Sequence, residues 1–264
     1  MNYRLRNTSL IGTRNSKNCN IVPLEISLLI NKPEVFTIIK KDRQITAGIL
    51  NAKSLGFPHD LFVKRFAPRN FLNFILKKTF GSRAKHIFKL SERLVDRGLS
   101  VPPPLSYIEP TFKAKDAFYI SVVIVKSENL ASVLMKTNFS ESRIIASILA
   151  ETLVRWHREG AVHGDLKWPN ILLQEDENGK RFFLVDLDQA RLYNKPNIAG
   201  IAKDLTRFYR AGLETGQEEW VDKVFFPIYM DMMSDKIKEH LDLPSIMNTA
   251  LEKWRRKGQT RYQA

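Results

Sequence analysis

Three oxygen-bearing side chains in the middle of this 264-residue chain have a spacing that suits metal and phosphate chemistry. Asp165 and Asn170 stand five apart in HGDLKWPNILL (163–173), where a proline-containing loop leads into a short apolar run. Asp186 follows a second apolar run, in FFLVDLDQA. Two carboxylates and an amide at the ends of adjacent strands are hard ligands of the type that takes Mg²⁺ together with phosphate. In such a set one Asp can orient or deprotonate an alcohol. The Asn and the other Asp would hold an ion that neutralises charge on a transferring phosphoryl group. A lone Asp in a loop is more often a turn residue making local hydrogen bonds. The context sets these residues apart: a long amphipathic helix, H-x-D-x-x-x-x-N, a strand, a short acidic turn, then an apolar strand ending in Asp.

The elements that must position them can be read from pattern. Residues 1–33, rich in Asn and Ser, read as a variable arm. From Glu34, the segments EVFTIIK, KDRQ (a polar turn), ITAGIL, a Gly-Pro turn and DLFVKRF predict a small antiparallel sheet. Ile87, Leu90, Leu94 and Val95 have helical spacing, with Gly98 as the stop. The triple proline at 102–104 cannot continue a helix and reads as a stiff connector, part of a link over about 101–130 that contains one buried strand, AFYISVVIV. A long helix is predicted from Asn138, whose side chain can cap the first turn together with Glu141. Ile145, Ile148, Leu149, Leu153 and Trp156 form its apolar stripe, and Gly160 ends it. From Ile198 onward the chain reads as mostly helical, with an aromatic and methionine cluster at WVDKVFFPIYMDMM.

Charge adds a second clue. The chain has 42 Lys+Arg against 28 Asp+Glu, a formal +14, and residues 1–100 hold 19 basic and 6 acidic side chains. An anionic partner near the first part would suit this asymmetry. A 44% hydrophobic content with 16 Phe excludes disorder for most of the chain, and the single Cys19 excludes a disulfide scaffold. No run of 18 apolar residues exists, and the polar start lacks the apolar core of a signal peptide. The expectation is a soluble, cytoplasmic protein that can still touch a membrane surface. The stretch KRFAPRNFLNFILKKTFGSRAKHIFK mixes Phe and Leu with Lys and Arg. It reads either as a contact with anionic lipid or as first-lobe core with its cations in water. No nucleic-acid-binding fold is recognised, so no specific nucleic acid is expected.

HGDLKWPN resembles the catalytic loop H-R-D-x-x-x-x-N of the protein-kinase-like superfamily, with Gly164 where protein kinases usually carry Arg. VDLD (185–188) resembles the metal-binding D-F-G, with Asp188 at the glycine position. Within that superfamily HGDLKWPNILL, LVDLDQAR and AKDLTRFYR are most similar to the lipopolysaccharide kinase (Kdo/WaaP-like) family, over about Val35 to Arg210. The resemblance implies an α+β, two-lobed protein-kinase-like fold. Residues 34–125 would be a nucleotide-binding N-lobe with a small antiparallel sheet, and 126–264 a helical C-lobe. It implies ATP and Mg²⁺ as cofactors, Asp165 as catalytic base or alcohol-orienting group, and Asn170 and Asp186 as metal ligands. His163 would support the loop from behind. Asp204 would either act directly or brace the loop. Asp188 would be either a further metal or substrate group or a turn residue.

Lys64 in DLFVKRF is similar to the lysine that pairs the α- and β-phosphates of ATP. Arg65 is expected on the opposite, exposed face, and Glu92 is the candidate acidic partner of Lys64. No G-x-G-x-x-G is present. Lys40 and Lys41, with Arg43, lie in the hairpin where such a loop would be, either to supply charge to phosphates or as a solvated run. Only 17 residues separate Asp186 from Asp204, and no A-P-E follows. A peptide-seating activation segment is therefore not expected. The implied acceptor is a sugar hydroxyl, on Kdo or heptose, of an anionic, lipid-linked lipopolysaccharide core at the cytoplasmic face of the inner membrane. The competing readings are a small atypical Ser/Thr protein kinase and a pseudokinase-like scaffold that docks on a membrane or partner.

Overall fold

A computed structural model describes residues 29–53, 58–68, 81–110, 115–177 and 179–262. The described chain falls into two compact units. One joins the residues up to Arg93 with Pro102–Val123; the other joins Leu94–Val101 with the chain from Ile124 onward.

The first unit is built on a five-stranded antiparallel sheet of β1 (Phe36–Lys41), β2 (Ile45–Leu50), β3 (Leu61–Phe66), β4 (Pro104–Ile108) and β5 (Ala117–Val122), in the order β1-β2-β3-β5-β4. The polar turn between β1 and β2 closes on Asp42, whose Oδ1 accepts from the backbone N–H of Gln44 and Ile45, each at 2.8 Å. This is the side-chain mimicry of a turn that makes Asp common there. Gly48 sits where the sheet allows no side chain, because a Cβ would lie 2.5 Å from the ring of Phe36 and also strike the carbonyl of Thr37.

Alternation sorts the sheet into two faces. On one, Phe36, Leu50, Leu61, Val63, Phe118 and Ile120 form a core with Ile30, Ala52 and Ile108. On the other, Ala47, Lys64, Tyr119 and Tyr107 form one cross-strand row. The helix α1 (Arg83–Asp96) contributes partners to this second face: Ser91 Oγ lies 3.3 Å from the Tyr119 hydroxyl, Phe88 packs on Tyr107, and the Arg83 guanidinium stands over Phe66.

Two expectations change here. The stretch after the prolines is an edge strand, since Pro104 opens β4 and pairs with Ser121. An edge or first-residue position is where a strand tolerates a residue with no N–H to donate. Arg65 is half-buried and held by Asp116 at 2.7 Å, not left in solvent. The middle of the proposed lipid-contact stretch, 69–80, lies outside the described residues. The phenylalanines of it that are described, Phe66 and Phe88, are buried.

The second unit is organised by α2 (Leu130–Leu134) and α3 (Phe139–Arg158). The α3 N-terminus has the predicted reciprocal cap: Asn138 accepts from the N–H of Glu141, and the Glu141 carboxylate accepts from the N–H of Asn138. Of its predicted stripe, Ile145, Leu149, Leu153 and Trp156 are buried, whereas Ile148 at the edge is only half-buried. Beyond it, β7 (Ala161–Val162) pairs with β10 (Arg191–Leu192), and β6 (Ser127–Asn129), β8 (Ile171–Asp176) and β9 (Gly179–Leu184) form a small antiparallel sheet in the order β6-β8-β9. Then come α4 (Ile198–Thr215), α5 (Glu218–Trp220), a π-helical turn Val221–Phe225, α6 (Phe226–Met232), α7 (Asp235–Lys238) and α8 (Leu243–Tyr262). The predicted aromatic cluster is the packing centre of these helices, with Phe208 and Phe225 rings 4.5 Å apart. Among the described residues no helix is long and apolar enough to cross a membrane.

Candidate active site

The loop HGDLKWPN connects β7 to β8 and is tied down at several points. Trp168 is fully buried, packing on Phe208 and Trp220, and anchors the far side of the loop in the aromatic cluster. Asp204, on α4 and 1% exposed, receives the N–H of His163 on Oδ2 at 2.6 Å and that of Gly164 on Oδ1 at 2.7 Å. A carboxylate that accepts two backbone donors at once satisfies groups that would otherwise be buried without partners. Of the two readings of Asp204, the brace is therefore what its contacts describe. Behind it, His157 Nε2 lies 3.7 Å from Asp204 Oδ2, and His157 Nδ1 is 2.6 Å from the Tyr229 hydroxyl.

His163 is buried. Its Nε2 is 2.9 Å from the Val185 carbonyl and its Nδ1 is 3.3 Å from the N–H of Asp165, so the imidazole links the loop to the end of β9. Gly164 adopts a left-handed φ of 78°, and a Cβ there would lie 2.6 Å from the Gln189 carbonyl oxygen. Both the backbone conformation and the close approach require glycine.

Asp165 is brought forward with its carboxylate held on both oxygens. Lys167 Nζ is 3.0 Å from Oδ2, and Arg207 Nε donates to Oδ1 at 3.0 Å. Burial pulls this carboxyl upward, but the hydrogen bonds and charges of Lys167 and Arg207 outweigh it and hold the group below its ordinary value. Asn170 Nδ2 donates to the Asp165 carbonyl at 3.0 Å and lies 3.5 Å from Asp165 Oδ2. With the NH₂ end so engaged, the amide oxygen is the end of Asn170 left to serve as a ligand. Asn170 and the start of β8 are joined to the end of β9 by the bond from the Val185 N–H to the Asn170 carbonyl, 2.9 Å, which places Asp186 beside the loop.

Asp186 is exposed and adopts φ 62° and ψ 59°, a left-handed conformation that few non-glycine residues take and that Asp tolerates better than most. Asp188 follows in a short 3₁₀ turn, Leu187–Gln189. Among the described residues no group of three or more His, Cys, Asp or Glu converges as a metal site. The candidate set expected from the sequence, Asn170 and Asp186 with Asp188 nearby in the chain, offers one amide and one or two carboxylates. It fits Mg²⁺, which prefers hard oxygens and usually completes its shell with water and substrate phosphate.

In the first unit, Lys64 is 8% exposed on the central strand β3, with its Nζ over the Phe66 ring at 5.6 Å. Glu92 is the α1 residue after Ser91, on the helix that packs against the Lys64 face. Lys40 and Lys41 separate by register: Lys40 shares the Ala47–Lys64 row, whereas Lys41 pairs with Thr46 in the Arg65 row. Both are exposed.

Two residues at the Asp165 carboxylate were missed from sequence. Lys167 lies in the HGDLKWPN loop, and a cation two residues after Asp165 was a readable signal. Arg207 lies one helical turn beyond Asp204, so a face shared at i and i+3 on α4 could have pointed to it.

Comparison with known proteins bears on the family and the fold. The family model described as "Lipopolysaccharide kinase (Kdo/WaaP) family" matches residues 61–225. The chain is 30% identical over 149 residues to 3-deoxy-D-manno-octulosonic acid kinase of Xylella fastidiosa (strain M23), which is 55% of this chain and 57% of that protein. It is 25% identical over 143 residues to the enzyme of the same name from Mannheimia succiniciproducens, covering 51% of this chain and 59% of that protein. The matches thus span little more than half the length of these relatives. A solved structure titled "WaaP in complex with acyl carrier protein" superposes with a TM-score of 0.60 at 16% identity, covering 89% of this chain and 96% of that one. That likeness shows the fold: an N-terminal antiparallel sheet unit and a C-terminal helical unit of the protein-kinase-like type. With the family model spanning more than half of its residues, the chain belongs to the lipopolysaccharide kinase (Kdo/WaaP) family.

Proposed function

We propose that this protein is an ATP- and Mg²⁺-dependent kinase that transfers the γ-phosphoryl group to a sugar hydroxyl, on Kdo or heptose, of lipopolysaccharide core. The observation that carries the reading is the Asp165 carboxylate, presented by a braced HGDLKWPN loop with Asn170 and Asp186 alongside, in a chain of this family.

In this reading Asp165 accepts a hydrogen bond from the acceptor hydroxyl and aims its oxygen at the γ-phosphorus. The new P–O bond forms as the bond to the β-phosphate oxygen breaks, and the hydroxyl proton passes to Asp165 as the transfer completes. A carboxylate held low by Lys167 and Arg207 is a weak base, so orientation is its larger contribution; a loose phosphoryl transition state needs little base strength. Asn170 and Asp186 hold Mg²⁺, with Asp188 in reserve. When bound, the ion neutralises charge on the transferring phosphoryl oxygens. Lys64 pairs with the α- and β-phosphates of ATP and Glu92 orients it, while Lys40 adds positive charge on the same row of the sheet.

The short passage from Asp186 to α4 supports a non-protein acceptor. Only the 3₁₀ turn, β10 and a few residues separate them, which leaves no room for a long peptide-seating segment. A cytoplasmic protein, peripheral on the inner face of the inner membrane, would meet such an acceptor there. The test is incubation with radiolabelled ATP, Mg²⁺ and rough-type lipopolysaccharide. Label in the saccharide that disappears in Asp165→Ala is expected; label only in protein would favour a protein kinase. Nucleotide binding with no transfer to any acceptor would favour a scaffold.

A further inference from the structure

The helix that braces the loop also brings more positive charge to Asp165 than a single carboxylate needs. Arg207, Arg210 and Glu214 lie at i, i+3 and i+7 on one face of α4. With Lys167 and Asp165 they form a five-membered charged group with one cation in excess. Glu214 stands 3.9 Å from Arg207 Nη1 and 3.6 Å from Arg210 Nε, beyond hydrogen-bonding distance for both. Those two guanidinium nitrogens are buried and make no hydrogen bond among the described residues. The arginine side chains still reach solvent, at 20% and 22% exposure. Burial and the neighbouring Arg207 both disfavour the charge on Arg210, with Glu214 and Asp165 only partly offsetting them. Two adjacent, incompletely satisfied guanidinium groups beside a reactive carboxylate favour binding of an oxyanion, which their planar donor forks fit well.

The two oxygens of Asp165 say which anion. Lys167 and the Asn170 amide lie on the Oδ2 side, with the candidate metal ligand and so with the phosphoryl group. Arg207 is on Oδ1, and Arg210 and Glu214 continue from it. We propose that Arg207 and Arg210 form a subsite for an oxyanion substituent, a carboxylate or a phosphate, carried by the saccharide acceptor next to the hydroxyl that is phosphorylated. The inference rests on the phosphotransfer reading above and assigns to Arg207 and Arg210 the recognition of the acceptor's anion.

The test compares a Kdo-containing acceptor in native form, methyl-esterified at its carboxylates, and dephosphorylated. Saccharide binding is followed by NMR line broadening without ATP, and turnover with it. Removing the anion that the subsite reads should raise the acceptor KM about 10- to 100-fold, as expected for losing hydrogen bonds to a charged group, and the esterified and dephosphorylated arms tell which anion it is. Arg210→Gln should impose the same rise on the native acceptor and little further loss on the one already lacking that anion, with Arg210→Lys in between. Equal binding and turnover of all three acceptors overturns the subsite while leaving the kinase reading intact. A rise in the KM for ATP instead of the acceptor also overturns it, by moving the arginines to the nucleotide. Anion-dependent, Arg210-dependent binding with no turnover keeps the subsite and removes the kinase reading. The wild-type comparison needs no variant, so a poorly folded Arg210→Gln cannot decide the matter.

Discussion

Arg207 donates its Nε–H to Oδ1 of Asp165 at 3.0 Å, joining two residues 42 positions apart. The contact makes the ionisation of a loop carboxylate depend on a helix. Arg207→Gln removes a hydrogen bond and a charge that both lower the Asp165 pKa, leaving burial, which raises it, less opposed. The acidic limb of a kcat/KM–pH profile should therefore move to higher pH in the variant. For stability, Asp165 is depressed on folding, so its contribution is present above the unfolded value, about 3.9, and is lost as pH falls through the lower folded value. Acid unfolding of Arg207→Gln, followed by circular dichroism, should begin at a higher pH than that of wild type.

Asp204→Ala tests the brace. It leaves the N–H groups of His163 and Gly164 without their acceptor in a buried place. The expected cost is about 1–3 kcal/mol per unsatisfied group, measured by urea unfolding. Phosphotransfer should fall as well, since the loop loses its anchor. Asp204→Asn, which keeps only one acceptor oxygen, should lie between.

Lys64→Met separates nucleotide grip from folding. The lysine is nearly buried on a central strand beside Phe66, a place that an unbranched apolar side chain can occupy. The melting temperature, measured alongside, reads any folding cost separately from the effect on nucleotide. The kcat/KM for ATP should drop about 10- to 100-fold, the scale of a lost charge-assisted hydrogen bond. An unchanged value would remove Lys64 from the phosphate site.

Gly48→Ala places a Cβ against the Phe36 ring and the Thr37 carbonyl. Overpacking of this kind costs about 1–3 kcal/mol. A lowered melting temperature should follow, and Phe36→Leu in the same chain should recover part of it. No recovery would mean that the backbone contact dominates.

Local chemistry and periodicity reach the sequence reader; contacts between distant segments do not. The Asn138–Glu141 cap and the buried stripe of α3 were legible because each depends on residues within a few turns. So were β1 to β3, whose alternation and turn residues are local. The edge strand β4 was hidden because a triple proline argues for a connector, and only pairing with β5 makes Pro104 a strand residue. Arg65 gave no sign of Asp116, 51 residues away. Asp165, Asn170 and Asp186 stood out through their motif, whereas Arg207 belongs at the site only because α4 lies against the loop. The Lys40–Lys64 row depends on register across three strands, which the hairpin alone does not reveal.

Gly164 occupies the loop position where a protein kinase would carry the arginine that reads a phosphorylated segment. Its left-handed backbone and the Gln189 carbonyl against its Cα make the vacancy a closed one. Any side chain here would press on the Gln189 carbonyl, so the loop and the turn after β9 can only change conformation together.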